Sequence, residues 1–168
     1  MASGLLLLRL VLGLTLASHG AQKLFGAFGG YGIKGTGGFF GSLGFRAPAA
    51  MAFLAGLSEF GGGAAFAAGF LTPFAALALA VVMTIAIMTV HIKNGFFVTA
   101  NGYEYNLLIW AGAVAVAATG PGRFSLDRAF GWDGSLSGYR WGLGVVIADV
   151  VITSLILTVG RTSKPAEA

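Results

Sequence analysis

The sequence predicts an all-α protein that crosses a membrane several times as a bundle of helices. Hydrophobic residues make up 57% of its 168 residues and charged residues only 10%, whereas a typical soluble domain is about one quarter charged. The mean hydropathy is +0.85. Five apolar runs approach or reach the length of about 20 residues that a helix needs to cross a bilayer. Composition and run length together indicate a polytopic membrane protein.

Charge and cysteine content exclude several classes of function. The ten lysine and arginine residues outnumber the six acidic residues, but they are spread singly between apolar runs and form no basic patch. We therefore expect them to act as interface anchors, and we expect no contact with nucleic acid. The chain has no cysteine, which excludes disulfides, thiol chemistry and cysteine-ligated metal centres within it. The lipid bilayer is the first partner that the composition implies.

The first predicted span, residues 4–25, carries a polar face. Arg9, His19 and Lys23 fall within one arc of this helix at 100° per residue. Two interpretations stay open. In one, the arginine and the lysine extend toward opposite membrane interfaces and the histidine makes an ordinary hydrogen bond between helices. In the other, the three side chains belong to a functional site, as ionisable groups inside a membrane often do.

Residues 26–47 are rich in glycine, and we expect no regular helix through GGYGIKGTGG. The aromatic segment that follows is predicted to lie in the membrane interface. Its large apolar residues are Phe39, Phe40, Leu43 and Phe45. The glycines are not a phosphate-binding loop, because no strand precedes them and no GK[ST] ending follows.

The second predicted span, residues 48–70, carries a single charged residue, Glu59, near its middle. An acid at this depth is costly and usually faces the bundle interior with a partner. The residues on the same side of the helix are small: Ala52, Ala55, Gly56, Gly62 and Gly63. We predict that Gly56, Gly62 and Gly63 are helix-packing positions at which a neighbouring helix approaches closely.

Two further spans complete the first predicted domain, residues 1–128. The third span, residues 72–92, begins with Thr72 as a predicted N-cap followed by a proline in the first turn. A polar hinge, KNGFFVTANGYEYN, leads into the fourth span, which has Glu104 in its first turn and ends at Gly120.

The rest of the chain is predicted to form an interfacial connection and a fifth transmembrane helix, both within residues 129–160. The apolar run at residues 141–159 is long enough for a full crossing and carries Asp149 near its centre. The polar tail at residues 161–168 is expected to be disordered.

If the spans alternate in direction, five polar residues meet near one membrane face: His19, Lys23, Glu59, His91 and Glu104. Histidine and carboxylate side chains can bind and release protons, and an imidazole can hydrogen-bond a quinone carbonyl. We therefore predict a proton-handling or quinone-binding site from these residues. The distribution of positive charge leaves open which compartment this face meets.

Seven motifs, in this order and spacing, resemble the DoxX family of small bacterial membrane proteins. They are HGAQKLF, FFGSLG, SEFGGG, GFLTP, HIKNGFF, NGYEYNLL and GPGRFSLD, all within residues 5–128. The resemblance implies a four-helix core in the bacterial plasma membrane and an association with oxidoreductase systems. Family members include membrane subunits of thiosulfate:quinone oxidoreductase and a protein linked to superoxide dismutase, and hence to oxidative stress. The matching polar positions are His19, Lys23, Glu59, His91 and Glu104, and the fifth helix lies outside the resemblance.

Three functions stay open from the sequence. In the first, the chain is a quinone-contacting subunit that relays electrons or protons from a partner oxidoreductase, with menaquinone or ubiquinone as cofactor. In the second, it is a non-catalytic membrane anchor for that partner. In the third, it is a small-solute transporter, although no inverted repeat is evident. Whether the chain is itself catalytic or forms a homo-oligomer is also open. No metal motif is present. Haem held by His19 and His91 is less favoured, because it leaves Lys23 and Glu59 without a role.

Overall fold

The computed structural model describes residues 2–162, and it is all-helical as the sequence predicts. Seven α-helices follow one another along the described chain: α1 (Ala2–Phe25), α2 (Gly32–Ser42), α3 (Pro48–Ala68), α4 (Thr72–Ala86), α5 (Glu104–Thr119), α6 (Leu126–Ala129) and α7 (Tyr139–Val159). A π-turn at Ile87–His91 and a 3-10 turn at Ile92–Asn94 extend α4. Between residues 2 and 162 the structure has no strand, only an isolated bridge between Phe45 and Arg161.

Four helices are long and apolar enough to cross a membrane: α1, α3, α4 with its extension to Asn94, and α7. The C-terminal helix predicted at residues 141–159 is therefore among the long ones. The predicted fourth span corresponds to α5, which has only 16 residues and a length of about 24 Å. The hydrocarbon core is about 30 Å thick. α5 is short because residues 95–103 fold as a loop at its start.

Of the four long helices, α1, α4 and α7 run in one direction and α3 runs in the other, which sets the two faces of the bundle. α7 begins beside the start of α4, where the rings of Phe74 and Trp141 are 5.3 Å apart. It ends beside the connection between α2 and α3, where Arg46 N donates to Gly160 O at 2.9 Å. We call the face at which α1, α4 and α7 end the cavity face, and the opposite face the distal face. Residues 2 and 162 consequently lie at opposite faces.

α1 and α3 contact each other through glycines spaced seven residues apart on each helix. Gly13 meets Gly63, and Gly20 meets Gly56. A Cβ added at either Gly13 or Gly63 would stand 2.5 Å from the carbonyl oxygen of the other glycine, so both positions require the absence of a side chain. Gly62 faces α4 instead, where an added Cβ would meet a side chain at 3.0 Å. The predicted small face of α3 therefore serves two neighbouring helices.

The expectation of irregular structure through GGYGIKGTGG is wrong for residues 32–38, which form the first part of α2. α2 lies along α3: Thr36 is buried, and a Cβ on Gly37 would stand 3.3 Å from the Ala49 backbone. Glycine costs about 1 kcal/mol per helical residue relative to alanine. Packing against α3 outweighs this intrinsic preference, as tertiary contacts commonly do.

The start of α4 is capped by a residue far away in sequence, Asp127. Its carboxylate accepts hydrogen bonds from Leu71 N at 2.7 Å, from Thr72 N at 2.9 Å and from the Thr72 hydroxyl at 2.7 Å. The prediction of Thr72 as the N-cap is wrong, since Thr72 is the first residue of the helix. Asp127 itself is fully buried, so it satisfies the free amides of α4 inside the fold.

Arg9 does not extend to a membrane interface, as the first interpretation of its role required. Its side chain is fully buried and donates hydrogen bonds to the carbonyl oxygens of Pro121, at 2.7 Å, and Phe124. These carbonyls belong to the turn that follows α5. Arg9 therefore joins the beginning of α1 to the distal end of α5, away from the other predicted site residues.

A second buried carboxylate, Asp149, ties α7 to α4 and α5. Its Oδ2 accepts hydrogen bonds from the Thr84 hydroxyl and from Trp110 Nε1, both at 2.8 Å. Its Oδ1 accepts one from the Thr153 hydroxyl at 3.1 Å. Asp149 is 2% exposed, so three neutral donors replace the water that it loses.

The tail predicted to be disordered is bound at its beginning. Arg161 donates two hydrogen bonds to Leu43 O, at 3.0 and 2.7 Å, and Thr162 N donates to Gly44 O at 2.9 Å. These contacts fasten the end of α7 to the connection between α2 and α3. The remainder of the predicted tail, residues 163–168, lies outside the described residues.

Candidate functional site

A cavity of about 620 Å³ lies toward the cavity face of the bundle. Side chains from α1 to α5, from α7 and from the loop between α4 and α5 line it, and most of them are apolar. Representative wall residues are Leu16, Phe40, Phe45, Met51, Val82 and Ile156. Pockets of this size and character hold ligands of the dimensions of a substituted ring.

One charged pair lies in this largely apolar lining. Lys23 Nζ donates a hydrogen bond to Glu59 Oε2, and the two side chains are 26% and 3% exposed, respectively. Gly56 leaves room for the Lys23 stem, whose Cβ would lie 3.3 Å from a Cβ on Gly56. Glu59 follows about one turn later on the same side of α3. The ammonium partly offsets the cost of burying the Glu59 carboxylate, because an unpaired charge in a low-dielectric interior is strongly unfavourable.

His91 reaches the cavity from the π-turn that extends α4. Its Nδ1 lies 2.9 Å from the carbonyl oxygen of Asn101. A carbonyl oxygen can only accept a hydrogen bond, so Nδ1 carries the proton and donates it. Nε2 is then the nitrogen left to bind a ligand, and in the neutral ring it is an acceptor.

His19 has the same arrangement on α1. Its Nδ1 lies 3.1 Å from Gln22 Oε1, and Gln22 Nε2 donates to Phe28 O at 3.3 Å. The second contact orients the Gln22 amide with its oxygen toward the histidine. His19 Nδ1 therefore donates as well, and its Nε2 has no hydrogen-bond partner within residues 2–162. Both histidines that line the cavity are thus held through Nδ1, with Nε2 available to a ligand.

Of the five predicted site residues, the structure brings four to the cavity. His19, Lys23, Glu59 and His91 line it, whereas Glu104 does not. Glu104 Oε2 accepts a hydrogen bond from Val98 N at 2.9 Å and so stabilises the loop between α4 and α5. Across residues 2–162 there is no group of three or more histidine, aspartate or glutamate side chains that could hold a metal ion.

Sequence reasoning missed several polar residues of the lining, among them Tyr105 and Asn106, which α5 contributes next to Glu104. Asn106 is 7% exposed, and its Nδ2 contacts Met83 Sδ at 3.5 Å. The segment NGYEYN was predicted to be an interfacial hinge, where polar residues are unremarkable. The sequence feature that could have indicated Asn106 is its position directly before the apolar run LLIWAGAV.

A family model described as DoxX matches residues 4–92. This stretch contains the ion pair of Lys23 with Glu59 and both cavity histidines, His19 and His91. The chain belongs to the DoxX family. The match ends at the extension of α4, so α5 and α7 of this DoxX protein lie beyond it. Family membership and the long apolar helices together make the chain a multi-pass membrane protein.

One relative aligns with most of the chain. Over 124 residues, this DoxX protein is 32% identical to a protein of Bacillus subtilis (strain 168) described as "Putative oxidoreductase CatD". The alignment covers 74% of this chain and 84% of that protein. No solved structure matches the chain.

Proposed function

We propose that this DoxX protein is a membrane subunit of an oxidoreductase system and that its cavity binds a quinone. The observation that carries the proposal is an apolar cavity of about 620 Å³ with one buried ion pair, Lys23 with Glu59, and two imidazoles in its lining. The description of the CatD relative as an oxidoreductase supports the same assignment. The bacterial plasma membrane, where menaquinone or ubiquinone is dissolved, is the corresponding location.

The lining suits an amphipathic ring compound. Aromatic and aliphatic side chains on α2, α3 and α4 form most of the walls, and van der Waals packing of the ring against them supplies binding free energy. The Lys23 ammonium is a donor for one quinone oxygen. The two histidine Nε2 atoms offer additional polar contacts. A small hydrophilic solute would leave most of this apolar wall without a favourable contact, so the transporter alternative has less support.

Reduction of a quinone to a quinol takes up two electrons and two protons, and oxidation of the quinol releases them. The residues on the cavity can serve the proton half of this exchange. Neutral His91 can accept a proton at Nε2 from a quinol hydroxyl and return it in the opposite direction. In the proposed system, a partner oxidoreductase supplies or accepts the electrons.

Quinone binding by the purified protein tests the proposal. Decylubiquinone and menadione are titrated into the protein in nanodiscs, and bound quinone is counted by equilibrium dialysis. We expect one quinone per chain and a loss of about tenfold in affinity for Lys23→Met, because a hydrogen bond from a charged donor contributes about 1.5 kcal/mol or more. Lys34→Met is the matched control, since Lys34 is exposed and lies outside the lining. A wild-type protein that binds neither quinone overturns the proposal and favours the anchor.

A further inference from the structure

The side-chain amide of Asn106 is buried and has few hydrogen-bond partners. It lies near the start of α5, is 7% exposed and lines the cavity. Within residues 2–162, its side chain has a single hydrogen-bond partner, the sulfur of Met83 at 3.5 Å. An amide side chain offers two N–H donors and an oxygen that accepts twice, whereas a thioether sulfur is a weak acceptor. Most of the hydrogen-bonding capacity of Asn106 is therefore unused.

Such a group calls for an explanation, because the great majority of buried side-chain polar atoms in folded proteins have partners. Asn106 Oδ1 has no hydrogen-bond partner, and it is not fully buried, because the only fully buried side-chain nitrogen or oxygen without a partner in residues 2–162 is Arg9 Nε. Since Asn106 lines the cavity, this free amide oxygen is open to a molecule bound there. A molecule in the cavity is in position to supply the partner that the protein does not.

We propose that Asn106 binds the ligand of this cavity through its side-chain amide, at the wall formed by α4 and α5. The inference rests on the proposed function and makes it more specific. The ion pair of Lys23 with Glu59 lies on α1 and α3, so the cavity offers polar groups on two walls formed by different helices. The ligand class that fits is a ring with two oxygen substituents, as in a para-quinone.

An amide also matches both redox states of such a ring. Its N–H donates to the carbonyl oxygen of a quinone, and its oxygen accepts from the hydroxyl of a quinol. A lysine ammonium, in contrast, has donors only. Asn106 is therefore a group that can stay hydrogen-bonded to the ligand before and after reduction, without moving a proton of its own.

Two variants distinguish a role of Asn106 in ligand binding from a purely structural role. Asn106→Leu removes the amide with little change in volume, and Met83→Leu removes its sulfur partner while leaving the amide in place. If the amide serves the ligand, decylubiquinone affinity falls roughly fivefold to tenfold in Asn106→Leu and stays within twofold of wild type in Met83→Leu. If the contact with sulfur matters instead, both variants change thermal stability alike and neither changes affinity.

The measurement is equilibrium dialysis of decylubiquinone and its quinol against each folded variant in nanodiscs. Wild-type protein that binds no quinone would end the proposed function itself. Wild-type binding together with unchanged affinity in folded Asn106→Leu would overturn only the assignment of Asn106. The weaker binding should appear for quinone and quinol alike, since the amide contacts both.

A second measurement needs no substitution at Asn106. Labelling with ¹⁵N-asparagine reports on three side-chain amides, because Asn94, Asn101 and Asn106 are the asparagines of the chain. We expect saturating decylubiquinone to shift the Asn106 side-chain signal in wild-type protein. A signal that stays in place while quinone is bound contradicts the proposal, even if Asn106→Leu fails to fold.

Discussion

Replacement of Gly63 by alanine should push α1 and α3 apart. A Cβ at Gly63 would stand 2.5 Å from the carbonyl oxygen of Gly13 and 2.6 Å from the amide nitrogen of Ala17. Both are backbone atoms, which cannot relieve the clash by changing rotamer as a side chain can. To reach an ordinary contact of 3.4 Å, the two helices must separate by about 0.9 Å at this point.

The magnitude follows from two opposing effects. Overpacking of a close contact costs roughly 1–3 kcal/mol, whereas alanine is favoured over glycine in a helix by about 1 kcal/mol. Gly61→Ala is a control that distinguishes the overpacking from the helix preference. Gly61 lies on the same helix, and a Cβ there would meet only Leu57 Cδ1, at 3.9 Å. The control gains the helix preference without the clash. We therefore expect Gly63→Ala to be less stable than Gly61→Ala by about 1–3 kcal/mol.

Reversible unfolding by sodium dodecyl sulfate in mixed micelles, followed by helical circular dichroism, measures this difference. Both variants should insert into membranes equally well, because neither changes the apolar character of the span. Equal free energies of unfolding for the two variants would refute the reasoning, since they would mean that the Gly63 face of α3 has room for a side chain.

Three further predictions use the same unfolding assay. Asp127→Ala removes the carboxylate that accepts three hydrogen bonds at the start of α4 and should cost about 2–4 kcal/mol. Asp133→Ala removes a surface ion pair and should cost about 0–1 kcal/mol; equal losses of stability in the two variants would contradict the capping role of Asp127. Asp149→Leu leaves buried donors on α4 and α5 without an acceptor and should cost about 2–3 kcal/mol of stability. Asp149→Asn keeps an acceptor and should cost less; a larger loss in Asp149→Asn than in Asp149→Leu would contradict the role of Asp149 as an acceptor. Lys23→Met and Glu59→Leu should each destabilise by about 3 kcal/mol, and the double variant should recover much of that loss; additive losses would show that the pair is not coupled.

The sequence was sufficient to predict the parts of the site that depend on position along long helices. Lys23 lies near the end of α1 and Glu59 near the middle of α3, so alternating helices put the lysine at one membrane face and the carboxylate deeper on the same side of the bundle. The long lysine side chain spans that difference in depth. The same reasoning placed His19 and His91 near one face. Apolar run length and helical periodicity are properties of single segments, and they need no knowledge of tertiary contacts.

The sequence-based predictions that were wrong concern features that depend on contacts between distant segments. Glycine content argued against α2, but the glycines allow α2 to lie close on α3, and this packing decides the outcome. A local rule selected Thr72 as the N-cap, whereas the cap is Asp127, which arrives only when the turn after α5 folds back to α4. Arg9 likewise finds its acceptors more than a hundred residues away. No periodicity within one segment predicts such partners.

The family motifs acquire a physical meaning in pairs. HGAQKLF contacts SEFGGG, GFLTP contacts GPGRFSLD, and HIKNGFF contacts NGYEYNLL. The joining contacts are Lys23 with Glu59, Thr72 with Asp127, and His91 with the carbonyl of Asn101. Six of the seven motifs therefore carry one side of an interaction between segments, which explains how residues with no regular spacing in the sequence form a single arrangement.

Mapping a bound quinone on the protein tests the central claim most directly. A photoreactive azido-quinone is bound to wild-type protein in nanodiscs, illuminated, and its attachment sites are located by mass spectrometry with and without excess decylubiquinone. The cavity predicts competed labelling on the segments that carry Lys23, Glu59 and His91. Labelling that falls on the exposed face of α7, at residues such as Val150 and Val151, and that resists competition would contradict it.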